Sequence, residues 1–214
     1  MQGFTVFEDP FDGTYLIPQE FDVKSKDILE RTDVKYSSPL AYTMSKTSFL
    51  DLVPFFKETE VDGEKTLNAF LLIRYRSMDL SQKMYDAFSV LGGGRMRPKD
   101  PVHISNAKIK IDSEMRSWQE AEKLMSGQWS YAEDEQVVHN VSCAILILDV
   151  DDLKTFSKFA GASQVIARLS ANNNWSKDIN LLDLPEEKLS KLRNAMKNYV
   201  LYVQNNYGIN LIDN

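Results

Sequence analysis

Val141–Lys154 reads VSCAILILDVDDLK, an apolar run that stops at three carboxylates, Asp149, Asp151 and Asp152. From Cys143 to Leu148 every residue is apolar, so neither face of the segment is left for water. That pattern fits a strand covered on both sides. The acids then suit the positive end of a helix, with Asp149 or Asp151 as N-cap of the segment DDLKTFSKFAG. A buried strand of this kind needs other strands beside it and helices over it, and the flanking sequence offers both.

Upstream, TLNAFLLIRY (66–75) is dense in branched and aromatic residues and reads as a strand. A helix is expected over 77–91, with Leu80, Met84, Ala87, Phe88 and Leu91 on one face and three glycines as its stop. PVHISNAKIKID reads as a strand with one wet face, Ile109 and Ile111 alternating with Lys108 and Lys110. SWQEAEKLMSG reads as a compact helix in which Ser117 and Glu120 form a capping box and Gly127 ends it. Downstream, SQVIARLSA is expected to be a second short helix and NNNWSKDIN a loop. A longer helix starts at Asp183, carries a stripe of Leu189, Leu192, Met196, Tyr199 and Val203, and ends near Gly208. GINLI is expected to add a short strand.

Residues 1–60 are less regular. GFTVFE and TYLIP flank the turn-forming DPFDG and suggest a hairpin. KSKDILER suggests a short helix, SSPLAYTMSKTS a loop, and SFLDLVPFF an apolar helix interrupted by Pro54. The expectation is a single α+β domain over 1–214. It has an irregular N-terminal segment (1–60), a mixed β-sheet built from 66–150 and covered by helices, and a helical C-terminal part (151–206).

Composition narrows the function. A net charge of −6 argues against a general affinity for nucleic acid, so any phosphate-binding face must be local. One cysteine, Cys143, excludes an internal disulfide framework and sits in the apolar run, where thiols are packing groups. The N-terminus shows no basic start or apolar stretch of a signal peptide, and no run is long enough to span a membrane. A soluble protein, intracellular or within a particle, is therefore expected.

Two constellations carry chemistry. Asp149 and Asp151 at a strand end lie on one side, about 7 Å apart by the rise per residue, and could share a magnesium ion. This Asp-x-Asp resembles the aspartate motif of haloacid-dehalogenase phosphotransferases and the paired aspartates of archaeo-eukaryotic-type primases. The chain departs from both. Leu153 stands where the first family has Thr or Ser, and His103 and His139 both precede the aspartates, where the second expects a histidine after them. Neither family is carried over, and helix capping is the simpler use of the acids. The second constellation is LGGGRMRPKD (91–100), whose glycines and Arg95, Arg97 and Lys99 could meet an anion or nucleic acid. The glycines close a helix rather than open one, so a helix stop and basic loop is the plainer reading. His103 and His139 show no metal-ligand spacing and no nucleophile partner, and no Gly-x-Ser-x-Gly motif is present.

The leading expectation is thus a non-enzymatic structural or interaction protein with no cofactor, working through protein partners or self-association in an assembly such as a viral or phage particle. The alternatives are a magnesium-dependent phosphoryl or nucleotide enzyme on Asp149 and Asp151, and a nucleic-acid-associated accessory protein using Arg95, Arg97 and Lys99.

Overall fold

The computed structural model describes residues 4–9, 13–18, 42–45, 48–77, 102–134, 137–172, 174–183 and 186–211. Its strands are β1 (Phe4–Asp9), β2 (Gly13–Pro18), β3 (Tyr42–Ser45), β4 (Ser48–Val61), β5 (Glu64–Ser77), β6 (Asn106–Ile111), β7 (Glu114–Gln119), β8 (Leu124–Asp134), β9 (Val137–Leu148), β10 (Val165–Ser170) and β11 (Ser176–Asn180). Its helices are α1 (Val150–Ser157) and α2 (Glu186–Tyr207). The α+β class expected from the sequence holds. The single mixed sheet does not: strands form a seven-stranded sheet ordered β1-β2-β4-β5-β9-β8, with β3 also on β4, and a four-stranded sheet ordered β11-β10-β6-β7. Every ladder between these strands is antiparallel.

The deciding stretch behaves as its composition demands. β9 lies between β5 and β8, with Ser142, Ala144, Leu146 and Leu148 buried on one face and Cys143 buried on the other. It then runs directly into α1. β4 and β5 form a long hairpin closed at Val61–Glu64, where Asp62 (φ 54°) and Gly63 (φ 82°) take the left-handed conformations of a type I′ turn. SFLDLVPFF is therefore a strand and not a helix. Antiparallel pairs alternate between bonded and non-bonded, and counting back from the closing pair leaves Pro54 opposite Leu71 in a non-bonded position. Its ring nitrogen points away from β5, into the gap between the stretches of β4 that pair with β3 and β2, so the proline removes no ladder bond.

Four other local readings are corrected. SWQEAEKLMSG is the end of β7, a turn at 120–123 with Ala121 at φ 68°, and the start of β8. Burial of the Trp118 indole, with its Nε1–H donated to the Ile147 carbonyl at 3.1 Å, overrides the capping-box spacing. SQVIARLSA contains β10, in which Val165, Ala167 and Leu169 are buried by strict alternation. NNNWSKDIN contains β11, whose Ile179 faces Ala167 across the ladder. GINLI is not a strand over its described residues, 208–211: Gly208 (φ 64°) ends α2 in the left-handed conformation and donates to the Gln204 carbonyl. In the N-terminal portion the expected hairpin is present as β1 and β2, while β3 stands in the stretch expected as a loop and β4 in the one expected as a helix. The helices expected over 24–31 and 77–91 and the basic loop lie outside the described residues, apart from Ser77 at the end of β5.

One cluster of buried side chains joins both sheets and both helices. α2 carries the stripe foreseen from its spacing, with Leu189, Leu192, Met196, Tyr199 and Val203 all buried. It docks on the sheet of its own chain: the Tyr199 ring stacks on Phe56 of β4 at 4.1 Å, and its hydroxyl donates to the Phe70 carbonyl of β5 at 3.1 Å. α1 covers the four-stranded sheet, where Phe156 meets Trp118. The opposite face of that sheet carries Lys108, Lys110, Met115 and Arg168, with Arg168 paired bidentately with Asp178.

Candidate functional site

The junction of β9 and α1 brings Asp149 and Asp152 together and spends their oxygens on structure, while Asp151 stands apart. Asp149 is the N-cap of α1. Its Oδ1 accepts the Asp152 backbone N–H at 2.8 Å, and Asp152 Oδ2 accepts the Asp149 N–H at 3.0 Å, a reciprocal capping box. Asp149 Oδ2 takes a charge-assisted bond from the Lys123 ammonium in the turn before β8. Partial burial raises the Asp149 carboxyl, but Lys123 and the Asp152 amide outweigh it and hold it below its ordinary value. Asp152, only 6 % exposed at its side chain, is pushed the other way, chiefly by burial. Asp149 in turn raises the Lys123 ammonium.

Asp151 is separate. Its side chain is 66 % exposed and lies 3.9 Å from Lys154 one turn on. Arg116 of β7 completes the junction, donating from Nε to Thr155 Oγ1 at 2.8 Å and lying 4.0 Å from Asp152. Among the described residues no group of three or more His, Cys, Asp or Glu could hold a metal ion. For Asp149 to serve as a ligand, Lys123 and a helix amide would have to release its oxygens. The acids and cations present fit a helix start pinned to two strands better than they fit a magnesium site. Arg95, Arg97 and Lys99 lie outside the described residues, as does the side chain of His139.

A second cluster has no counterpart in the sequence reading, which found no partner for His103. The segment 102–105 leads into β6 and is held by two backbone bonds, Ser105 N–H to the Ser170 carbonyl at 3.0 Å and Glu120 N–H to the Ser105 carbonyl at 2.9 Å. His103 is thereby placed beside the β7–β8 turn. Its Nε2 is 2.6 Å from Glu120 Oε1, and its Nδ1 is 3.3 Å from Ser126 Oγ on β8. No motif spacing announces this contact, because the three residues come from different segments joined only by the meeting of the two sheets. Reading 117–127 as a helix also hid it, by setting Glu120 and Ser126 on a helix rather than on a turn and an edge strand.

No protein-family model, curated protein or solved structure matches this chain.

Proposed function

We propose that the chain works by contact, as an interaction component of an assembly, and that the contact runs along β7 to a second copy of the chain. The observation that carries this reading is Met115. It is the most exposed large apolar side chain among the described residues, at 61 %, and it stands on a strand that, among those residues, pairs with β6 alone. The β6–β7 hairpin closes at Ile111–Glu114, so the ladder alternation turns the N–H and C=O groups of Met115 and Ser117 away from β6. Such an edge is a template for a further strand unless something covers it. An antiparallel pair of identical edges closes on itself about a two-fold axis, which limits the assembly to a defined dimer. The aspartate junction supports the reading by explaining its acids without catalysis.

Sedimentation over a wide concentration range, with hydrogen exchange resolved at β7, tests it. The expected result is a dimer whose Met115 and Ser117 amides become protected as it forms, with both effects weakened by Met115→Lys. A monomer at every concentration, or a dimer that leaves β7 exchange unchanged, overturns the reading.

A further inference from the structure

We infer that Ser126, His103 and Glu120 form an acyl-transfer site acting on unhindered carboxylic esters. The inference goes beyond the contact reading and does not depend on it, since it uses a different edge.

The hydrogen-bond chemistry fixes the roles. A carboxylate only accepts, so the 2.6 Å contact to Glu120 requires the proton of the neutral imidazole on Nε2. Nδ1 then presents its lone pair to Ser126 Oγ, 3.3 Å away. That is the arrangement of a base poised to take a hydroxyl proton, with the acid holding tautomer and ring orientation. The two ring nitrogens are exchanged relative to the serine-protease arrangement, but each nitrogen still has the partner its role demands. Glu120 is a positioning residue; Ser126 and His103 meet the substrate.

The backbone supplies a further element. The Ile147 N–H bonds to the Lys123 carbonyl at 2.9 Å, which makes Lys123–Ile147 a bonded pair, and Leu124 stands opposite Leu146 in the next, non-bonded position. Continuing the alternation, Met125 and Gly127 direct their amides to β9, while Ser126 directs its N–H off the sheet. β8 ends the seven-stranded sheet among the described residues. Among the described residues no strand takes this amide, so it can serve as the donor to the oxygen of a carbonyl under attack. Ser126 lies on the face of β8 that buries Leu124 and is itself half-buried, whereas His103 is 52 % exposed at its side chain. The exposed His103 ring opens the pair to solvent on one side.

In the first half-reaction Ser126 Oγ bonds to the acyl carbon and its proton passes to His103 Nδ1. The ester C–O bond breaks and the departing alkoxide takes that proton, leaving as the alcohol. In the second, water attacks the acyl-serine, again giving a proton to Nδ1. The C–Oγ bond then breaks, Ser126 recovers the proton, and the carboxylic acid leaves.

A fluorophosphonate probe and p-nitrophenyl acetate test the site in the full chain. The probe should add one phosphonyl group by displacing fluoride, mapped to Ser126 by peptide mass. Ser126→Ala should abolish both the label and the ester turnover. His103→Gln should slow labelling by about a hundredfold, the usual contribution of a positioned base. Glu120→Gln should shift the pH profile of labelling, a readout that mere packing would not move. All of the variants replace groups at least partly open to solvent, and unchanged thermal melting confirms that each is folded. An unlabelled Ser126 in the folded parent, or labelling that persists unchanged in His103→Gln, overturns the inference.

Discussion

Asp149 and Asp151 are two positions apart and do different work. Asp149 closes the capping box and anchors Lys123, so Asp149→Ala should lower stability by about 1 kcal/mol, the usual cost of a lost N-cap. Asp151→Ala removes only an exposed pairing with Lys154, and its effect should stay within about 0.5 kcal/mol. Urea denaturation of the two variants separates them, and equal losses would contradict the assignment of the cap. With both Asp149 oxygens engaged, millimolar magnesium should leave the melting temperature of the parent unchanged. A rise that disappears in Asp149→Ala would restore the phosphoryl-enzyme reading. That an acid caps the helix after the apolar strand was legible in the sequence; which of Asp149 and Asp151 does so was not, because both stand where a cap could. Lys123 was not legible, because it reaches Asp149 from a turn 26 residues away whose spacing matches a helical capping box.

At the scale of elements, what could be read depended on whether a segment's own pattern matched its burial. β9, β6 and α2 show their buried faces in their spacing. β10 also alternates, but six residues of mixed propensity, VIARLS, satisfy a helical template as easily. The Asp62–Gly63 turn is a direct hairpin signal, and it shows β4 to be a strand despite Pro54. The β6–β7 hairpin illustrates a tie that no local pattern reveals. Asp112, at φ 50° in the turn, accepts the Ser163 hydroxyl at 2.8 Å, the Ser163 N–H at 3.0 Å and the Gln164 N–H at 2.9 Å, locking the turn to the approach of β10. The Ser163 hydroxyl and the Gln164 amide are the main causes that lower the Asp112 carboxyl from its ordinary value. Because the folded-state value lies below the unfolded one, the stabilisation is complete above the ordinary carboxylate pKa. It is lost as pH falls through the folded value. Asp112→Asn should therefore cost stability near neutral pH, and the gap to the parent should narrow on acidification. A gap that is independent of pH would show that the charge is not what holds the turn.

Across the whole molecule, α2 decides whether the seven-stranded sheet is stable. Its stripe buries five large side chains foreseen from the sequence, each worth roughly 1.5 to 3 kcal/mol when removed from water, a sum comparable with the stability of an ordinary domain. A chain ending at Leu182 should fail to melt cooperatively and should aggregate. A truncated chain that melts sharply as a monomer would show that the helix is an accessory to the fold.

The stacking of Tyr199 on Phe56 also has a consequence for how the protein is made. The carbonyl of Phe55 that lies beside the Tyr199 hydroxyl is 144 positions earlier in the chain. On the ribosome, β4 and β5 can pair once both strands have emerged, but the cover that Tyr199 and Tyr202 give Phe56 arrives only when α2 is translated. For that whole interval the nascent hairpin carries a sticky surface, and closing so long a loop is slow. The yield of folded protein should then depend on chaperones that hold the growing chain, and slowing elongation should worsen aggregation rather than relieve it.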